Sequence, residues 1–321
     1  MSYYKITLIS ILFLLLVSIL AYHWIFPENS DYIYRPDPEY GRGKLSWTKP
    51  LQPCIIETFE GEEISGNTPI LGVDSEGSDL AYRISVSLWT NLWLALSSAA
   101  VFVVLATFSG VLIGYNQSAA TESLYQRIRS SESIIGSLRE TRILQIIAKW
   151  IVQSLHAIPL LLLLLVVVVV ANELFKNDLH RMFVIMVTVG VLSIPKLALL
   201  IRDRISVLED EEFINAARAS GLSDIKIILT HILWYECSPI IIAQFIYVIV
   251  QAIMLETVIT FLGYGFGTEH TSLGGLITHF QYNLPGSIGG TPLALLPLIV
   301  LLFIAVVGNG LTNLFMEFRH E

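Results

Sequence analysis

The sequence predicts an all-α membrane protein with six transmembrane helices, and three observations lead there. Hydrophobic residues make up 54% of the 321-residue chain, charged residues only 14%, and the mean hydropathy is +0.66. A soluble chain of this length would need more charge to cover its surface. Residues 6–27, 84–121, 157–172, 182–195, 237–255 and 271–316 contain no Asp, Glu, Lys or Arg. Most of these runs reach or exceed the roughly 20 residues that cross a hydrocarbon core of about 30 Å, and the two shorter ones gain length from flanking side chains that snorkel. Backbone groups in lipid must be satisfied within their own segment, so each span is helical.

The elements follow in order. Residues 1–26 hold the first span; Ile6–Phe26 is long for a cleaved signal and ends in Tyr22, His23 and Trp24 rather than an Ala-x-Ala site, so it reads as a retained anchor. Residues 27–87 form an outer segment rich in Pro, Gly, Tyr and acids, too short for a large core of its own and expected to cap the outer mouth. The five-helix core is 88–315, with spans near 88–115, 150–172, 182–201, 232–262 and 291–315, followed by a tail at 316–321. An insert at 117–147 places Leu124, Ile128, Ile135 and Leu138 at helical spacing, which reads equally as an amphipathic helix on the membrane or a partner and as a solvated connector. Lys196, after Pro195, is expected to snorkel from the inner end of the fourth span.

Orientation comes from basic residues in short loops. With the N-terminus inside, 12 of the 19 Lys and Arg lie on the inner side, and five of the other seven fall in the long outer segment, where the rule counts least. Both termini are therefore expected to be cytoplasmic. The polar loop 209–231 then also lies inside.

That loop carries the most informative stretch. Phe-Ile-Asn-Ala-Ala-Arg-Ala-Ser-Gly-Leu, residues 213–222, sets small residues Ala216, Ala217, Ala219 and Ser220 before Gly221. A short helix of small side chains can sit deep in a groove, and a glycine lets the chain turn sharply at its end. Glu209, Asp210, Glu211 and Glu212 stand at the helix N-terminus, where negative charge is favourable, and Ser223 or Asp224 is placed to cap a following helix over 225–233. An ordinary helix with a glycine cap would look the same; the position between the fourth and fifth spans is what singles it out.

The stretch closely resembles the cytoplasmic coupling loop, Glu-Ala-Ala-x-x-x-Gly, of ABC-importer permeases. Further segments resemble the dipeptide/oligopeptide/nickel branch of that family, in order from about residue 69 to 311. Pro69-Ile-Leu-Gly-Val-Asp-Ser-Glu-Gly-Ser-Asp79 is similar to its Pro-Leu-Gly-Thr-Asp-x-x-Gly-Arg-Asp, and Glu256-Thr-Val-Ile-Thr-Phe-Leu-Gly-Tyr-Gly265 to its Glu-Ala-x-Leu-Ser-Phe-Leu-Gly-Leu-Gly. Ser272-Leu-Gly-Gly275, Gly308-Asn-Gly-Leu311, and His231 with Leu233 match its Ser-Trp-Gly, Gly-Asp-Gly-Leu and His-x-Leu-Pro. The departures are Asn215 for the motif's Glu, Trp234 for Pro, Ser78 for Arg and Asn309 for Asp, with the insert 117–147 in place of a short Gly-Gly-x-x-Asp connector.

The resemblance implies a type I ABC-importer permease architecture of the second permease subunit type, without a catalytic site of its own. Asn215, Ala216, Ala217, Arg218 and Gly221 would make the ATPase contact. The implied partners are a second permease, ABC ATPase subunits that bind the ATP, an extracytoplasmic substrate-binding protein and the membrane, here a bacterial inner membrane. Di- or oligopeptides are the implied cargo, with nickel or another small solute as the lesser option. Gly221→Asp would uncouple transport while leaving the protein inserted.

Other residues carry weaker signals. Glu256 is the one acid deep in a span region; it reads as a gate or path residue, or as an acid near the outer interface bonded to amides of the 263–267 turn. Cys54 and Cys237 lie at different depths, and His156, His270 and His279 lack ligand spacing, so neither a disulfide nor a metal site is expected. No Gly-x-x-x-x-Gly-Lys-Ser/Thr loop is present, no protease signature stands out, and no basic face suits nucleic acid. A secondary transporter or channel, with Glu256 as its ionisable residue, and a non-transporting membrane scaffold remain alternatives.

Overall fold

The computed structural model describes residues 3–25, 32–36, 54–58, 63–67, 69–73, 78–114, 133–208, 211–222, 226–266, 272–283 and 295–317. The first part of the insert, Glu209, Asp210, Ser223, Asp224 and His270 lie outside them. The helices are α1 (Tyr3–Ile25), α2 (Leu80–Gly114), α3 (Ser133–Ala157), α4 (Leu160–Leu174), α5 (Asp178–Leu208), α6 (Glu212–Ala219), α7 (Ile227–Tyr264), α8 (Leu273–Asn283) and α9 (Leu296–Glu317). Three short strands, β1 (Tyr32–Pro36), β2 (Cys54–Thr58) and β3 (Glu63–Asn67), form an antiparallel sheet in the order β1-β2-β3. Tyr32 pairs with Thr58, and Ile56 with Ile64. The fold is helical as expected, and these strands are what the sequence reading of 27–87 did not supply.

Among the described residues, α2, α5, α7 and α9 are each long and apolar enough to cross a membrane, and the bent pair α3–α4 makes a fifth candidate. The count is thus four or five against the six predicted, with α1 contributing a shorter apolar stretch, Ile9–Tyr22. The third predicted span, 150–172, is not one straight helix: α3 and α4 meet at 95°. Pro159 is the cause. It disfavours helical geometry at Ile158 and has no N–H for the preceding turn, yet it suits the start of α4, where its carbonyl accepts from the amide of Leu162 at 3.0 Å. Of the residues named for an amphipathic helix in the 117–147 insert, Ile135 and Leu138 lie on α3, while Leu124 and Ile128 lie outside the described residues. The exposed face of α3 repeats Ile143, Ile146, Ile147, Trp150 and Ile151 at three- and four-residue steps, while Val152 is buried on another face.

The chain divides into two compact units. The first comprises Met1–Ala95, Val168–Val184 and Val250–Gly310. Here the start of α2 is fixed by Asp79, whose carboxylate accepts from the amide of Ala81 at 2.8 Å as an N-cap and from the Tyr22 hydroxyl at 3.2 Å. Trp24, Trp89 and Trp93 follow in edge-to-face contacts at 6.1 and 6.2 Å, and the Ser85 hydroxyl donates to the Leu20 carbonyl. These contacts tie α1 to the first turns of α2. Arg181 donates to the Gly265 carbonyl at 2.6 Å and pairs with Asp178 at 2.9 Å, which holds the start of α5 against the end of α7.

The second unit comprises Leu96–Val167, Ile185–Ile249 and Leu311–Glu321. Its core gathers Ala99, Phe102, Ala106, Leu197, Ala198, Ile201 and Ile205 with Ile214, Ile227, Ile228 and Ile232. Helices in lipid gain little from hiding apolar surface, so close backbone approach by small residues decides their packing. Gly110 and Gly114, spaced as Gly-x-x-x-Gly on α2, show how tight it is. A Cβ on Gly110 would stand 2.9 Å from the Ala198 carbonyl oxygen, and one on Gly114 would stand 2.9 Å from Ile205. Pro195 interrupts the hydrogen-bond ladder of α5 without ending it, and the Ser193 hydroxyl donates to the Val189 carbonyl at 2.8 Å beside the break. Lys196 lies over the Tyr247 ring, 4.7 Å from its centroid.

Helix α7 opens with wide π-type turns over Ile227–Cys237, continues as regular α-helix over Ser238–Ile259, and closes on another wide turn, Thr260–Tyr264. Pro239, just past the first wide stretch, offers no N–H to the Tyr235 carbonyl in α register, and π geometry shifts that carbonyl's partner one residue along.

Candidate functional site

Helix α6 forms as its sequence predicts. Its eight residues run Glu212–Ala219, with Glu212 exposed in the first turn, where the helix dipole favours an acid by about 0.3–1 kcal/mol. The far end closes as a Schellman motif. Gly221 has φ +82°, and the amide of Leu222 donates to the Ala217 carbonyl at 3.2 Å. An L residue there pays about 1–2 kcal/mol for the left-handed conformation, even though nothing lies within 4 Å of where its Cβ would stand.

The helix has two faces. Ile214 is fully buried in the second unit's core, and Ala217 and Leu222 pack against the same cluster. Asn215, Ala216, Ala219 and Ser220 are exposed on the other side. Of the residues singled out in sequence, Asn215 and Ala216 thus face outward, Ala217 points to the core, Gly221 sets the turn, and the side chain of Arg218 lies outside the described residues. Sequence reading missed the anchors Ile214 and Leu222. The signal for Leu222 was an apolar residue directly after Gly221, where a Schellman end places a side chain against its last turn; Ile214 carried no comparable local signal.

On both sides of α6 the chain is held by packed stems. Leu208 ends α5, Ile227 and Ile228 begin α7, and all three belong to the core cluster that takes Ile214. The arrangement can act as a short arm: a small-residue face on a helix that cannot rock freely, because its inner face is keyed into two membrane-spanning helices.

Glu256 sits elsewhere, in the first unit, with 1% of its surface exposed. Its carboxylate accepts from Asn91 Nδ2 at 2.9 Å and from the Thr260 hydroxyl at 2.7 Å. The Ser272 hydroxyl and the Gly274 amide also donate to it. Among the described residues its partners are therefore Asn91 of α2, Thr260 one turn further along α7, and Ser272 and Gly274 at the start of α8, while Gly267 of the 263–267 turn lies outside the described residues. Ser272 works twice, since its oxygen also accepts from the Gly275 amide at 3.1 Å as the N-cap of α8. Asn91, overlooked in sequence, was detectable as the lone side-chain amide inside the predicted span 88–115. Among the described residues, no group of three or more His, Cys, Asp or Glu could hold a metal ion.

Known proteins place these features in a family. The profile of the binding-protein-dependent transport system inner membrane component matches residues 133–318. The chain is similar to a putative peptide transport system permease protein of Brucella suis biovar 1, 24% identical over 65% of this chain and 59% of that one. It is also similar to the oligopeptide transport system permease protein OppC of Lactococcus lactis subsp. lactis, 23% identical over 96% of this chain and 88% of that one. The chain thus spans about three-fifths of the length of the Brucella relative and most of the Lactococcus one. A chain of the MetNI methionine ABC transporter, solved in inward-facing conformations, overlays with a TM-score of 0.49 at 16% identity, over 73% of this chain and 96% of that one. Since the profile covers α3 through α9, including α6 and Glu256, this chain belongs to the binding-protein-dependent transport system inner membrane component family.

Proposed function

We propose that this chain is the transmembrane permease subunit of an ATP-driven importer of di- or oligopeptides in a bacterial inner membrane, with both termini cytoplasmic. It would form the translocation path with a second permease and receive cargo from an extracytoplasmic binding protein. ATP would be bound and hydrolysed by partner subunits that grip α6. The observation that carries this reading is the two-faced α6, with Ile214 locked in the core, Asn215 and Ala216 exposed, and Gly221 fixing the exit. The peptide relatives support the cargo class.

In this mechanism, closure of the ATPases displaces α6, and the shared core transmits that displacement to α5 and α7. Asn215, where the family pattern has an acid, lowers the charge of the contact but keeps a hydrogen-bonding side chain. Arg218 would tune the same contact.

Purification of the tagged chain in mild detergent is expected to recover a second permease and one or two ATPases carrying phosphate loops, identified by mass spectrometry. A homogeneous chain without an ATPase, also after crosslinking in intact membranes, would overturn the reading. Gly221 gives a sharper variant pair. Asn tolerates the left-handed conformation and Val does not. Gly221→Val is therefore expected to lower peptide uptake at least tenfold with the protein still inserted, while Gly221→Asn retains most of it. Equal uptake by both would show that the turn does not matter.

A further inference from the structure

Among the described residues, an ion pair joins the two stems that carry α6. Arg204 lies on the last turns of α5, four residues before Leu208, and Glu236 lies in the wide-turned first part of α7. The Arg204 guanidinium donates to the Glu236 carboxylate at 2.8 Å, and each side chain is only one-third exposed. The pair spans 32 positions in sequence, and all of α6 lies between its members. Neither residue belongs to the small-residue motif, and the proposed ATPase contact does not use them.

We propose that Arg204 and Glu236 are positioning residues that clamp the stems of α6, so that a push on α6 moves α5 and α7 together rather than spreading them. The inference rests on the coupling role proposed for α6 and deepens it. Three observations carry it. The apolar contacts beside the pair (Leu208, Ile228 and Ile232) are non-directional and allow sliding, whereas a hydrogen-bonded ion pair fixes register. Second, the start of α7 is π-type rather than α, so its own ladder is the less regular of the two stems and gains most from an external tie. Third, the Arg204 Nε is buried without a hydrogen-bond partner, and Glu236 is the one carboxylate in ion-pair contact with this guanidinium among the described residues. Removing Glu236 would strand a largely buried cation, which is why the clamp needs both members.

The test uses the complete transporter, this chain with its copurified permease and ATPases, in proteoliposomes with the binding protein. Peptide uptake and ATP hydrolysis are measured together for Arg204→Glu, Glu236→Arg and the double swap. Each single change is expected to leave the complex assembled and hydrolysing ATP but to cut peptide taken up per ATP at least fivefold. The swap is expected to restore that ratio to within about twofold. A structural role alone would move yield and thermal midpoint, not this ratio. If the single variants do not insert, Glu236→Gln, which keeps shape and one hydrogen bond, is expected to halve the ratio or worse at normal yield. Single variants or Glu236→Gln with the wild-type ratio would overturn the clamp, as would a folded swap no better than the single changes. Failure of the underlying reading looks different: the unaltered chain would then bring down no ATPase at all.

Discussion

Gly190→Ala is expected to be the most damaging single-methyl change in this protein. A Cβ at Gly190 would fall onto the main-chain carbonyl of Ser98, and a backbone group cannot rotate aside as a side chain can. The second half of α2 and the body of α5 would have to separate. That opens gaps around Ala99, Phe102, Ile194 and Leu197, which are packed there with little or no exposure. Overpacking in a tight core costs about 1–3 kcal/mol, and here it is compounded by lost dispersion contacts along the seam, the main attraction between helices in lipid. A fall of roughly 5 °C or more in the thermal midpoint of the detergent-solubilised protein follows, with a matching loss of monodisperse material. Gly275→Ala is the control, because its Cβ would meet the Ser272 hydroxyl at an ordinary 3.5 Å. A Gly190→Ala protein with the wild-type midpoint would show that α2 and α5 do not meet this closely.

Glu256→Ala is the second large effect. The carboxylate receives donors from Asn91, Thr260, Ser272 and the Gly274 backbone, so its removal leaves four buried groups to find new partners. Each unsatisfied buried donor costs about 1–3 kcal/mol. Even with partial relaxation, a total of about 3 kcal/mol is expected. Glu256→Gln should be much milder. Its amide oxygen still accepts from Thr260, and its NH2 can donate to Asn91 Oδ1, a buried acceptor without a partner in the present arrangement, once the Asn91 amide turns over. Thermal midpoints in the order wild type, Gln, Ala are the expected result. An Ala variant as stable as Gln would mean that hydrogen bonding at this node contributes little.

The spans and α6 were legible in the sequence because lipid imposes a simple rule, and because small residues before a glycine specify a helix with a left-handed end. Asn215, Ala216, Ala217 and Gly221 stand on or next to the helix expected of them. Absence of charge, however, says where a chain can enter a bilayer and not whether it enters straight. Pro159 broke a run that hydropathy treated as continuous. Glu256 illustrates a different limit. Its acid was conspicuous, but apart from Thr260 its partners come from 165 residues earlier and from α8, and no local pattern joins Asn91 to Ser272. Arg204 and Glu236 were invisible for the same reason, being unremarkable charges until α5 and α7 are laid together.

The bend at Pro159 also sets a thickness. Helix α4 has 15 residues, which at about 1.5 Å each reach roughly 22 Å, against a hydrocarbon core of about 30 Å. Where α4 meets lipid, acyl chains must shorten to match it or neighbouring helices must shield its ends, at a fraction of a kcal/mol per ångström of mismatch. The exposed Ile143, Ile147, Trp150 and Ile151 stripe of α3, turned at 95° to α4, suits the first solution, since it is apolar surface of the kind a thinned leaflet would need as cover. One proline thereby makes membrane thickness, and so lipid acyl length, a variable that acts on this chain.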